Sequence, residues 1–210
     1  MPKFPGPPPA GGLAARLPPE IKILARGTII WRTYYRGGAH PVAWNRFRYW
    51  GPVATARFDH HLIPAGPQTR GTIYGALRVY TCFAEAFQDT RTIERSRNRP
   101  WLVGFELIRP VSLLDLTRTW PTKAGASMAI NSGRRDRARA WSVRIYEDYP
   151  TIDGLYYPSS MDGNQPSVAL YERAKRAIPT RPVFHRAVAD PALNAAVVRA
   201  ALLFGYAIEP

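Results

Sequence analysis

The sequence predicts an α+β fold, with a mixed β-sheet core and flanking helices. Two observations carry that reading. Segments of strand composition and segments of helical period follow one another irregularly, without the βαβ rhythm of a parallel sheet. The 210 residues are also 46% hydrophobic and 12% aromatic. That is enough apolar surface for one domain with a core, and too much for a disordered chain. No internal repeat is visible.

The elements follow from local composition. Residues 1–26 are read as a proline-rich flexible arm, because PGPPPAGG sustains neither a helix nor a sheet ladder. GTIIWRTYY, Gly27 to Tyr35, has strand composition and carries Arg32 inside it. Arg36 to Pro41 is a Gly-containing turn. Trp44, Phe47 and Trp50 lie at mixed spacing and are read as a short helix, broken by Gly51-Pro52. The run VATARFDHH follows, with Arg57, Asp59, His60 and His61, and then a Pro/Gly loop from Leu62 to Arg70. Thr72, Ile73 and Tyr74 favour extended backbone. Beyond Gly75, Val79, Cys82, Phe83, Ala86 and Phe87 lie on one stripe of a 3.6-residue period, and Glu85 lies off it.

Asp89 to Pro100 is polar and reads as a helix end and loop. Val103, Phe105 and Leu107 alternate as in a strand with one buried face, and Pro110 separates them from a second short strand. Ala138, Trp141 and Ile145 mark a helix from Arg137 to Tyr149, ended by Pro150. GRRDRAR, Gly133 to Arg139, is its solvated beginning. Ile152 to Tyr157 is a turn into a strand, and Ser167 to Arg173 is another strand. Asp190-Pro191 supplies an N-cap and a first-turn proline for an amphipathic helix, Ala192 to Phe204.

Composition also limits function. A net charge of +14 implies an anionic partner or substrate. The charge is mostly arginine, spread from Arg16 to Arg199 without a polybasic block, and a guanidinium makes two-point contacts with phosphate. A dinucleotide diphosphate, an acidic protein or a nucleic acid each satisfies it. No apolar run is long enough to cross a bilayer, and the proline-rich start lacks a secretory apolar segment, so a cytoplasmic location is expected. The single cysteine, Cys82, fits a reducing compartment and sits on an apolar face as an inert thiol. His60 and His61 are adjacent, but four histidines without HExxH or CxxC spacing give no metal site. There is no GxSxG elbow, P-loop or GxGxxG turn. The acids are too scattered to single out a glycosidase pair.

Five segments in order point further: WRTYY, the ARFD run, IYGA followed by CFAEAF, LLDL, and DGLYYPSS followed by VALYERA. In order and spacing they resemble the RES-domain family, named for an Arg, a Glu and a Ser, from about Gly27 to Ala174. The resemblance implies an ADP-ribosyltransferase-like fold and a toxin neutralised by a cognate antitoxin that blocks its pocket. It implies consumption of NAD, by phosphorolysis, hydrolysis or ADP-ribosyl transfer, with inorganic phosphate as one co-substrate and no metal. By the same resemblance Arg32, Glu85 and Ser159 are catalytic, with Ser160 adjacent. Arg57 and Tyr74 line the nucleotide pocket together with Arg32 and Ser159. The catalytic domain is then 27–174, and 175–210 is an extension with one helix packed on the same domain. The chain departs from the family pattern in its arm, in a long loop from Asp59 to Gly71, and in the helix after Ala174, which is expected to bear on a homo-oligomer contact. An alternative of another class, a non-catalytic nucleic-acid-binding protein, draws on the charge and the aromatic residues available for base stacking.

Overall fold

The structure, a computed structural model, describes residues 4–210. Among them the strands are β1 (Ile21–Leu24), β2 (Ile29–Tyr35), β3 (Arg48–Gly51), β4 (Gly66–Ala76), β5 (Thr92–Glu94), β6 (Pro100–Glu106), β7 (Val111–Asp115), β8 (Gly154–Pro158), β9 (Pro166–Tyr171), β10 (Phe184–Ala187) and β11 (Ala207–Glu209). The helices are α1 (Val79–Ala86), α2 (Trp120–Lys123), α3 (Arg135–Asp148) and α4 (Asn194–Phe204).

Among the described residues, nine strands form one sheet, in the order β1-β7-β8-β9-β4-β2-β6-β10, with β3 added along β4. Only β7 and β8 run parallel, so the sheet is mixed. A parallel pair needs a long crossover, and this one contains α2 and α3. Alternation along β9 shows how the sheet is covered. Val168 and Leu170 enter one apolar cluster with Ile30, Ile73 and Phe105, while Ala169 and Tyr171 enter another with Trp141 and Ile145 of α3. A third cluster gathers Ala76 with Cys82 and Phe83 of α1 and Val197 of α4. The layers of α1 and α3 thus belong to separate apolar clusters.

The strands β2 and β4 pair at one position only, Trp31 opposite Ala76. Upstream of that pair β4 turns its hydrogen bonds to β9, from Thr72 to Ala76, while β2 stays with β6 along its whole length. Gly75 lies at the contact. A Cβ there would stand 2.5 Å from Ile30 Cγ2 and 2.9 Å from the Trp31 carbonyl oxygen. The glycine lets the strands touch, and beyond it they part.

Four expectations need correction. The proline-rich segment is not a loose arm. Phe4 and Leu13 are buried in the α3 cluster, the Gly11 and Leu13 amides donate to Asp148 at 2.9 and 2.8 Å, and Trp141 Nε1 donates to the Pro5 carbonyl at 2.9 Å. Proline density obscured the few apolar residues that give the segment something to bury, and Ile21–Leu24 beyond it forms β1. Residues 44–50 do not form a helix but a turn and β3, because the aromatic residues serve a strand pairing with β4. The loop read over 62–70 ends early, since Gly66 already opens β4. The C-terminal segment adds more than one helix, with β10 beside β6 and β11 parallel to β5. In the same segment Asp190 accepts from the Ala192 amide, and Gly205 ends α4 in the left-handed conformation, as its composition predicts. No helix of the described residues is long and apolar enough to cross a membrane.

Gly75→Ala is expected to destabilise the fold by about 1–3 kcal/mol in chemical denaturation, because the added methyl meets backbone as well as a side chain. Gly66→Ala, where a Cβ meets nothing within 4 Å, is the control and is expected to be near neutral. Equal effects at the two sites would reject the strand contact as the tight point.

Candidate active site

A cavity of about 200 Å³ opens where β2 and β4 part, between the α1 layer and the start of α3. The strands contribute Arg32 and Thr33 from β2 and Tyr74 to Ala76 from β4. Cys82, Glu85 and Gln88 come from α1 and the turn after it, Arg57 from the loop after β3, and Asn131 and Arg135 from the α3 side. Tyr157 and Ser160 close the remaining wall. Arg32, Arg57, Tyr74 and Glu85, far apart in the chain, therefore meet in one cavity.

Each is held from behind. Arg32 Nη1 donates to the Trp44 carbonyl at 3.1 Å. Arg57 Nη1 donates to the Gly133 carbonyl at 2.6 Å, which ties its loop to the beginning of α3. Glu85 lies off the apolar stripe of α1: Phe83, nearly opposite it, is buried in the α4 cluster, while Cys82, one turn before it, borders the same cavity. Its Oε1 accepts from Ser159 Oγ at 2.5 Å, and its Oε2 accepts from Gln88 Nε2 at 3.4 Å. Ser159 is fully buried. Its Oγ also accepts from the amides of Met161 at 3.1 Å and Asp162 at 3.2 Å. With its proton committed to Glu85, this serine stands behind the carboxylate and does not line the cavity. The exposed neighbour Ser160 does. Ser159 thus differs from the expectation of a hydroxyl offered to a ligand.

Burial sets the electrostatics. It raises the proton affinity of Glu85, and the Ser159 hydrogen bond and the charges of Arg57 and Arg135 offset only part of that. It lowers the Arg32 guanidinium to about 10, still cationic at neutral pH. Arg57 is lowered by burial and by repulsion from Arg135, against the pull of Glu85. Burial also raises the Cys82 thiol to about 11, so it is no thiolate nucleophile. The Tyr74 hydroxyl is pushed up by burial and has no protein partner. Such a site can hold anionic groups on its guanidinium side and stabilise developing positive charge at its carboxylate.

Sequence reasoning missed Arg135, Gln88 and Asn131. Arg135 is the first residue of α3, and its Nη2 donates to Gln88 Oε1 at 3.3 Å. A signal for it was present. Arg134 and Arg135 stand where a helix favours an acidic or capping residue, and α3 has no side-chain N-cap. Asn131 Nδ2 donates to the Leu116 carbonyl at 3.0 Å, while its Oδ1 is buried without a protein partner.

The paired histidines serve the fold. His61 Nδ1 bonds Asp59 Oδ1, and Arg48 Nη2 donates to Asp59 Oδ2 at 2.9 Å. Burial pushes the Asp59 carboxyl up, but hydrogen bonds from His61 and the Val53 amide and the Arg48 charge bring it to about 2. His60 stacks on Tyr146 with ring centroids 4.5 Å apart. Among the described residues no three His, Cys, Asp or Glu side chains group to hold a metal ion.

A mixed-sheet α+β domain with an arginine-lined cavity around one half-buried glutamate is the class these features define. The RES domain model matches residues 29–192, and the chain belongs to the RES domain family. In fold it is similar to a chain of the M. tuberculosis MbcT–MbcA toxin–antitoxin complex, with a TM-score of 0.56 and 16% identity over 83% of this chain and 91% of that one. No curated protein matches the chain. The family read from the five sequence segments and the α+β class read from the succession of elements both hold.

The raised affinity of Glu85 has a consequence for stability. Its folded value lies above its unfolded one, so its favourable contribution is complete below the ordinary glutamate range and is lost as pH rises through the folded value. Glu85→Gln is therefore expected to melt higher than wild type at neutral pH. The difference should close toward pH of about 4. A variant no more stable than wild type at neutral pH would contradict the burial described for this carboxylate.

Proposed function

We propose that the protein is an NAD-consuming toxin of a toxin–antitoxin pair, which cleaves the N-glycosidic bond to nicotinamide. The observation that carries this reading is the partly buried Glu85 carboxylate, fixed by Ser159, in a cavity whose walls include Arg32 and Arg57. Membership of the RES domain family and the fold shared with a chain of the MbcT–MbcA toxin–antitoxin complex support it.

The chemistry of the residues fits the substrate. Two guanidinium groups suit a diphosphate, each with two-point contacts. Tyr74 and Tyr157 offer an aromatic wall for a flat ring. Loss of nicotinamide leaves positive charge on the anomeric carbon of the ribose, and Glu85 would stabilise that charge in a water-poor site. Ser159 fixes the carboxylate, so little reorganisation is needed as the charge develops. Water gives ADP-ribose, free phosphate gives its phosphorylated form, and a protein nucleophile gives a modified protein. The antitoxin would cover the cavity mouth, and an acidic partner would complement a chain of net charge +14.

Purified protein incubated with NAD, with and without phosphate, is expected to release nicotinamide. Glu85→Ala should lower kcat by about 10²–10³-fold with the fold intact, as for loss of one preorganised electrostatic group. Arg57→Ala should act mainly through KM. Folded wild-type protein that releases no nicotinamide under either condition would end the NAD reading, and full turnover by Glu85→Ala would remove the role given to that residue.

A further inference from the structure

A second hydrogen bond joins the same two elements as the Ser159–Glu85 contact. Thr81 Oγ1 donates to Asp162 Oδ2 at 2.6 Å, and both side chains are buried. Thr81 and Glu85 are four residues apart on α1 and so share one face of the helix. Ser159 and Asp162 lie in one tight turn between β8 and β9. That turn is closed by the Ser159 amide on the Gln165 carbonyl at 2.8 Å and the Gln165 amide on the Asp162 carbonyl at 2.7 Å. Inside the turn the Asp162 amide donates to Ser159 Oγ. The contacts make a closed ring, running from Glu85 to Ser159, Asp162 and Thr81 and back along one turn of helix.

We infer that Thr81 and Asp162 are positioning residues that dock the 159–165 turn on α1 and thereby hold Ser159 against Glu85; this rests on Glu85 acting as proposed above. Ser159 alone is a weak anchor. One hydroxyl serves a carboxylate and two amides, and its turn contains two consecutive residues of positive φ, Gly163 and Asn164, so its shape must be held by contacts. A hydroxyl donating to a buried carboxylate is a stronger, charge-assisted bond, and leaving that acceptor unpaired is costly. The Thr81 hydroxyl donates across to the turn and not to a carbonyl of its own element. Its bond is spent across the interface.

The test is Thr81→Val, which keeps the shape and removes the donor. The kcat for NAD cleavage is expected to fall about tenfold or more, with KM within about threefold, because displacing a carboxylate by an ångström affects the reacting geometry more than substrate binding. Thr81→Ser, which restores the hydroxyl, should return kcat to within about threefold of wild type. Amide exchange at Met161 and Asp162 should quicken about tenfold in Thr81→Val. Because the latch works through Ser159, Thr81→Val combined with Ser159→Ala should cost no more in kcat than Ser159→Ala alone. If Thr81→Val does not fold, Asp162→Ala removes the same bond from the other side and is held to the same outcomes. Wild-type kcat, unchanged exchange, or strictly additive losses in the double variant would overturn the inference. A wild-type protein that releases no nicotinamide would instead reject the NAD reading, and the exchange measurement would still decide whether the turn is latched.

Discussion

The cavity exists because two neighbouring strands touch at one residue pair and then separate. Only a glycine permits the touch, since Ile30 and the Trp31 backbone already fill the space a side chain would take. Past that point β4 follows β9 and β2 follows β6. A gap in a sheet would ordinarily expose unpaired backbone. Here it is lined by side chains from both strands and walled by α1 on one side and the start of α3 on the other. The residues of the site are thus carried mostly by regular elements whose far sides are packed, which holds them more firmly than free loops would.

The charges inside the cavity restrain one another. Burial disfavours the ionised form of Glu85 and of both arginines, and each sign relieves the other: Glu85 raises the proton affinity of Arg57 while Arg57 lowers that of Glu85. Loss of the Arg57 charge would leave Glu85 with the Ser159 hydrogen bond and the Arg135 charge as its compensation. Arg57 and Arg135 are like charges facing the same space, and their repulsion favours any anion that enters between them. The surplus of positive charge over the whole chain acts in the same direction at longer range.

Much of the fold was legible because the periodicities were clean. The stripe of α3 emerges as its buried face, and β2, β6, β8 and β9 follow their alternating or β-branched runs; in α1 Cys82, Phe83 and Phe87 are buried as their spacing predicts, but Thr81 and Ala84 off that stripe are buried too. Residues 44–50 were misread because aromatic spacing in a short segment does not distinguish a turn of helix from an irregular edge strand, and the pairing with β4 decides it. The segment from Phe4 to Leu17 was misread because composition counts prolines, whereas docking depends on two or three apolar side chains. Arg32, Arg57, Tyr74 and Glu85 were selected by family resemblance, and only the folded chain brings them into one cavity. Nothing local marks Gln88 or Asn131, whose place depends on how α1 and α3 approach. The inward role of Ser159 was equally invisible, since burial of a serine cannot be read from its neighbours in the chain.

The docking of Gly11 and Leu13 on Asp148 spans 137 and 135 residues. On the ribosome these amides appear well before their acceptor. At about 5–20 residues per second the nascent segment stays unbound for on the order of ten seconds. Trp141 likewise gains its cover only after α3 has emerged and the early segment has folded back over it. Closing so large a chain loop carries an entropic penalty that local helices and hairpins do not. Gly11 and Leu13 are thus among the last residues to settle, and a nascent chain halted before α3 would hold an unsealed domain.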